Sequence, residues 1–490
     1  MTSQEAPPRA VLSASLPPQP HVLLVSAPLQ GHVNPLLVLG RRLASRGLLV
    51  TITTAPDAGL KFDHNPHGAA ADDGAGRGAL RFEHLRGEGL WAPNDPRYRV
   101  ADDVVRHLDD AAPAALIRRQ AGAGRLVTCV VANAFAPWAL RAAAAASVPG
   151  AMLWTQSCTV LLLYYHYFHS LAAFPSEDAG PDAPVDVPCL PALTAGDLPV
   201  LIHAPEDFVW RQALLSDIRS LRETASWVLV NTFDELEHTA IEALRAHLTV
   251  LPVGPLFETE KNDIGSGDEC TAWLEAQAPR SVVFVAFGSL VKLSRDEMAE
   301  VAVGLASTGR PFLWVVRDDC RDDLLLLPAD AAAAIATGGG DRGQGGAVVR
   351  AAARALARRR GCFVTHGGWN STTEALAAGV PVVVYTVWSD QPTNAAFLVG
   401  ACGVGVRLPT PATRGALRQC VEAIMRRQGA VEEGEEMRAR AEEWKTKASA
   451  AVAGGGSSDR AIRDFVGAVL SDGADKRSAC NCFCPRVVQK

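Results

Sequence analysis

Twice along the chain an apolar run runs into a glycine turn and then a helix, and this repetition limits the fold more than any other feature. "HVLLVSAP" (21–28) is apolar nearly throughout, "GHVNPLLVLGRRLASRG" follows with helical spacing and a closing glycine, and "LLVTITTAP" is the next strand. Continuous apolar character marks strands buried on both faces, as in a parallel sheet covered by helices. The alternation resumes at "LVTCVVANAF" (126–135), "ALRAAAAASVPG" and "AMLWTQS". A second opening lies at "SVVFVAFGSL" (281–290), followed by the helix "SRDEMAEVAVGLASTG" and the strand "PFLWVVR". Two βαβ series half a chain apart predict the α/β class with two doubly wound domains.

A chain of 490 residues is also too long for one ordinary core. Proline, glycine and charge replace periodicity in "PVGPLFETEKNDIGSGDE" (252–269), the expected hinge. The reading is an extension lacking order (1–20), an N-terminal domain (21–251), a linker (252–270) and a C-terminal domain (271–457). A helix (458–471) then packs back on the first domain, ahead of a tail without order (472–490). The proline-rich stretch 175–197 is read as a long loop over the binding face. "CTVLLLYYHYFHSLAAF" (158–174) is short for a membrane span and reads as a buried helix.

Charge and cysteine usage narrow the class. A net charge of −6 argues against a nucleic-acid partner. The N-terminus has no sustained apolar segment of a secretory leader. Eleven cysteines show no paired CxxC zinc spacing, and their scatter suits a reducing compartment. The expectation is a cytoplasmic monomer that uses no metal and no membrane. The "CNCFC" cluster in the tail is read as part of a loose terminus.

The chemistry concentrates in "GCFVTHGGWNSTTEALAAGVPVVVYTVWSDQPTNAA" (361–396). A strand ends at His366, Gly367 and Gly368 let the backbone turn closely, and a helix starts near Asn370 and Ser371. N–H groups at such a start, with the helix dipole, bind phosphate. His366 can donate to the same phosphates. Glu374, one turn further in, can accept from a ribose diol, and Asp390–Gln391 offers acceptors and donors for sugar hydroxyls. The glycines alone are equally a turn, and Asn370 alone a helix cap. The whole set points to a nucleotide sugar.

This stretch resembles the signature box of plant small-molecule UDP-sugar glycosyltransferases, usually HCGWNS…E…GVP…DQ…NA. The likeness extends to "GHVNP", "PWAL", "LWTQSC", "NTFDELE", "PVGPL" and "FGSL", so it covers nearly the whole chain. It implies two facing Rossmann-like domains of GT-B type, with an inter-domain cleft holding UDP-glucose on the C-terminal side and the acceptor on the other. It implies that His366, Gly368, Asn370, Ser371 and Ser289 meet the diphosphate and Glu374 the ribose. Trp369, Asp390, Gln391 and Thr155 would surround the glucose, and His32 would be the general base. "LWTQSC…YYHYFHSLAAFPSE" resembles the branch that makes glucose esters of phenolic or indole acids.

Besides the milder change of cysteine to Gly367, two features depart from the family pattern. Where the family places an aspartate that orients and charges the histidine, this chain has Asn133. A carboxylic acid acceptor, ionised above a pKa of roughly 4, hardly needs a base. An aspartate about 4 Å away would repel it by about 4 kcal/mol at intermediate dielectric. Asn133 removes that repulsion, so the expected product is a 1-O-acyl-β-glucose. The alternatives are a phenolic, flavonoid-type acceptor and a degraded paralogue with little activity. The second departure is "VVRAAARALARRR" (348–360), where the family has the tryptophan that stacks on uracil and a glutamine that meets the nucleoside. Reading TGG-TGC-GAG-CAG one base out of register gives Val-Arg-Ala, which residues 349–351 spell, so a local frame displacement, in the gene or in its reported sequence, is one explanation, and a genuine Ala/Arg run that weakens UDP-glucose binding is the other.

Overall fold

A computed structural model describes residues 19–27, 29–54, 78–85, 111–257, 273–274, 276–316, 320, 326–332, 360–425 and 432–481. The extension 1–18, most of the expected linker, the departing run 348–359 and the end of the tail from 482 lie outside the described residues.

The first lobe opens with β1 (His21–Ser26), α1 (Gln30–Ala44), β2 (Leu49–Thr54) and β3 (Ala79–Phe82). It continues with α2 (Ala111–Gly122), β4 (Val127–Asn133), α3 (Pro137–Ala145), β5 (Gly150–Trp154) and α4 (Cys158–Phe168). A two-stranded ribbon, β6 (Pro184–Val185) with β7 (Leu193–Thr194), precedes α5 (Val209–Thr224), β8 (Trp227–Val230), α6 (Asp234–Arg245) and β9 (Val250–Pro252). The large sheet is parallel throughout, in the order β3-β2-β1-β4-β5-β8-β9. Its order reverses between β1 and β4, so the loops leaving these two strands diverge and open a crevice.

The second lobe repeats the design. Its elements are β10 (Val282–Ala286), α7 (Arg295–Ser307), β11 (Phe312–Val315), β12 (Arg360–Thr365), α8 (Trp369–Ala378), β13 (Val382–Val384), α9 (Gln391–Ala396) and β14 (Gly405–Arg407). The parallel order is β11-β10-β12-β13-β14, with the reversal between β10 and β12. α10 (Arg414–Met425), α11 (Glu432–Val452) and α12 (Ser457–Asn481) complete the chain.

α12 crosses back to the first sheet. Its Ala461, Ile462, Phe465, Val466 and Val469 share one apolar core with Val22, Leu24, Val50 and Val131. Phe465 meets Trp227 edge-on at 5.6 Å, and Arg46 pairs with Asp459 at 2.5 Å. The expectation of a tail without order from 472 needs correction, because α12 continues to Asn481. The added stretch carries no proline, and its one glycine costs a helix only about 1 kcal/mol.

The apolar run from residue 158 forms α4, all but its last two residues buried. Ser157 caps it by accepting from Val160 N–H. The buried Glu237 carboxylate accepts from the N–H groups of Cys158 (2.9 Å) and Thr159 (2.8 Å) and from the Thr159 hydroxyl (2.8 Å). Four free N–H groups at a buried helix start need such partners.

Candidate active site

The carboxyl ends of both sheets face one cleft. From the first lobe it is lined by residues including Gly31, His32, Phe135, Thr155 and Trp210, and from the second by Ser289, His366, Gly368–Ser371 and Trp388–Gln391.

His32 sits in the first turn of α1, just past β1. Its Nδ1 lies 3.3 Å from Thr155 Oγ1, and its ring meets Phe135 edge-on at 5.6 Å. Burial alone lowers its pKa to about 4, so the ring is neutral near pH 7. Asn133, at the end of β4, does not touch that ring. Its Oδ1 accepts from Ala27 N–H (3.0 Å) and its Nδ2 donates to the His32 carbonyl (2.9 Å). The position where the family orients the catalytic ring thus carries an amide whose bonds go to the β1–α1 backbone. Thr155, expected at the sugar, lines the cleft with Asp390 and Gln391 and also lies beside the imidazole. Both of its possible roles are open to a hydroxyl, which accepts from an Nδ1–H or donates to a bare Nδ1.

The second lobe holds His366 between two glycines. A Cβ on Gly288 or on Gly368 would stand 2.5 Å from His366 Nε2. Gly288 also has φ of +73°, and Gly367, where the family has cysteine, has φ of +79°. Burial lowers the His366 pKa to about 4 as well. α8 starts at Trp369 with Gly368 as its cap and aims its first N–H groups at the cleft, where Ser371 and Ser289 also line it. Asn370 Nδ2 donates to the Gly31 carbonyl at 2.7 Å, and Trp369 Nε1 donates to the Asn231 carbonyl at 2.7 Å. Both side chains thus bridge the lobes, and Trp369 offers a ligand only its ring.

Glu374, like Asn133, is not among the described residues that line the cleft. Arg360 Nη2 holds its Oε1 at 2.9 Å, and the Arg360 guanidinium, with no exposed surface, stacks 4.3 Å over Phe284. Arg360 Nε and Nη1 have no partner among the described residues.

Asp390 and Gln391 sit side by side at the start of α9. Asp390 Oδ2 accepts from Asn394 Nδ2 (2.7 Å), and burial raises its pKa to about 6. Gln391 Oε1 accepts from Val387 N–H (2.8 Å) and Trp388 N–H (3.0 Å). Gln391 is left with its Nε2 as a donor, whereas Asp390 Oδ1 is an acceptor.

Several cleft residues escape sequence reasoning. Phe135 has φ of +66°, and its N–H donates to the buried Asp217 carboxylate at 2.6 Å. It meets Trp210 edge-on at 5.0 Å, and Trp210 meets Trp388 of the other lobe at 6.4 Å. This aromatic file runs from His32 to the turn before Asp390. Only Trp388 carries a signal, its place two residues before Asp390; Phe135 and Trp210 carry none.

The family described as UDP-glucoronosyl and UDP-glucosyl transferase matches residues 253–433. A gallate 1-beta-glucosyltransferase of Punica granatum is 39% identical over 466 residues, covering 91% of this chain and 88% of that protein. A cinnamate beta-D-glucosyltransferase of Fragaria ananassa is 36% identical over 467 residues, 91% of this chain and 82% of that one. Among solved structures, Os79 from O. sativa in complex with U2F and trichothecene superposes with a TM-score of 0.78 at 28% identity, covering 91% of this chain and all of that one.

Proposed function

The chain belongs to the UDP-glucoronosyl and UDP-glucosyl transferase family, and from that premise we propose that it transfers glucose from UDP-glucose, with inversion, to a small aromatic carboxylic acid. The product is a 1-O-acyl-β-glucose ester. Relatives named for gallate and cinnamate support this acceptor class.

The observation that carries the reading is the environment of His32. No carboxylate bonds its ring among the described residues, and burial alone lowers its pKa from 6.5 to about 4. Charging that imidazole costs on the order of 3 kcal/mol more than in water. A phenol needs a base that becomes charged as the proton moves, whereas an aromatic acid arrives ionised. Neutral His32 then serves as a hydrogen-bond donor through Nε2–H. The file Phe135–Trp210–Trp388 suits the flat acceptor ring. The carboxylate attacks the anomeric carbon from the side opposite UDP, and that bond breaks as the new C–O bond forms, inverting α to β. The start of α8, His366 and Ser289 take the charge on the leaving diphosphate, and we propose that no metal is needed. Asp390 accepts from, and Gln391 Nε2 donates to, the glucose hydroxyls.

A phenolic acceptor is the second reading. Thr155 favours it, because its oxygen can accept from Nδ1–H and leave the His32 Nε2 lone pair free as a base. We further propose a monomer in the cytosol. No disulfide joins Cys129, Cys158, Cys189, Cys320, Cys362, Cys402 or Cys420, and no helix among the described residues is long and apolar enough to cross a membrane.

The test pairs UDP-glucose with hydroxybenzoic and cinnamic acids and treats the products with mild alkali. Ester products are cleaved. A product that survives is an ether-type glucoside and overturns the reading.

A further inference from the structure

The Asp390–Gln391 pair is gripped on both flanks by one segment of the opposite lobe. On the N-terminal flank, Val200 N–H donates to the Ser389 carbonyl (2.9 Å) and Gln156 Nε2 to Ser389 Oγ (3.3 Å). On the C-terminal flank, Thr393 Oγ1 donates to the Asp197 carbonyl at 2.6 Å. Arg407 Nη2 reaches Asp197 Oδ1 at 2.6 Å and the Pro392 carbonyl at 3.2 Å. Asp197 Oδ2 is occupied by Thr194, from its N–H (2.9 Å) and its hydroxyl (3.0 Å), closing the capping box of a short 3₁₀ turn at Ala195–Asp197. Ser389 itself has φ of +63°, a backbone state that a serine holds only when its surroundings impose it.

We propose that Asp197 is a positioning residue for hexose recognition. Acting through Arg407 and Thr393, it fixes the turn 389–393 from the acceptor-side lobe. This rests on the UDP-glucose reading given above. Residues 389, 392 and 393 all take a bond from the 197–200 segment or its partner Arg407, so the pair between them cannot shift without breaking one. The diphosphate end is held by other contacts: Asn370 and Trp369 at the start of α8 donate to the Gly31 and Asn231 carbonyls, and His366 sits between Gly288 and Gly368, with no bond to Asp197 or Arg407. The two ends of the donor are therefore separable. Loosening the clamp weakens recognition of glucose and leaves recognition of the nucleotide in place.

The experiment measures UDP and UDP-glucose binding by calorimetry on the full chain and on Asp197→Asn, Arg407→Gln and Thr393→Val. The expected result is a UDP-glucose Kd raised about three- to tenfold with a UDP Kd within about twofold of wild type. The Asp197→Asn/Arg407→Gln double variant loses no more than the larger single loss, because both remove the same bond. A role in folding alone would lower thermal stability and weaken both ligands together, and that outcome in the variants that fold overturns the inference. So does UDP-glucose affinity unchanged in all of them. A wild-type chain that does not bind UDP-glucose overturns the donor reading itself and this inference with it, a failure visible ahead of any variant.

Discussion

Asn133→Asp restores the residue type of the family pattern, and the structure says that it will not restore a charged catalytic pair. The side chain is buried, with one oxygen on Ala27 N–H and its NH₂ on the His32 carbonyl at 2.9 Å. A carboxylate keeps the first bond and sets oxygen against oxygen at the second. It escapes by taking a proton, so its folded-state pKa rises above the ordinary value of about 3.9. For an acid with a raised folded pKa, stability is full below the unfolded pKa and is lost as pH rises through the folded one. Near pH 8 the lost bond, the orphaned carbonyl and the buried charge amount to about 2–4 kcal/mol. That lowers Tm by roughly 4–12 °C, with a much smaller deficit at about pH 5. Melts across this pH range, with initial rates on a benzoic acid and on a phenol, form the assay. The phenol-to-acid rate ratio should rise by less than about tenfold, since the new group faces backbone. An unchanged Tm at pH 8 together with a larger gain for the phenol would show the carboxylate at the imidazole, and the reasoning would be refuted.

Gly368→Ala places a Cβ 2.5 Å from His366 Nε2, so the imidazole must shift; kcat/KM for UDP-glucose should fall about tenfold or more, measured as steady-state rates at fixed acceptor. Asp217 has its pKa raised to about 8 by burial, so its contribution to stability is lost from about pH 4 up through about pH 8. Asp217→Asn should flatten the decline of Tm over that window, and an equally steep decline would remove the assignment. Dialysis against EDTA should leave the glucosylation rate unchanged if, as proposed, the helix start and His366 meet the leaving charge; a loss restored by a divalent cation would contradict that proposal.

What the sequence made legible follows a physical boundary. Strands buried on both faces announce themselves as apolar runs, so the residue pattern alone places β1, β2, β10 and β12. Gly367, Gly368, Asn370 and Ser371 belong to one strand–turn–helix, and their joint position follows from chain geometry over a few residues. Asn133 and Thr155 are a different case. Resemblance assigns a role to both, but not the bonds each makes: Asn133 to the backbone at His32 and Ala27, and Thr155, in the cleft, to the His32 ring. Glu374 is legible as a residue at the right depth in α8, but its pairing with Arg360 is not, because that depends on which side chains enter the β10–β12 interior.

The sequence by itself determined two parallel α/β lobes, a glycine turn leading into a helix start, and an acid–amide pair at the next helix start, because each is written within one βαβ unit. Tertiary structure alone decided the aromatic file from His32 to Trp388 and the grip of Asp197 on the turn around Asp390. These contacts join residues that lie 178 (Trp210 to Trp388) and 210 (Asp197 to Arg407) positions apart. No local propensity encodes such distances; they are fixed only when the two lobes pack face to face and close the cleft between them.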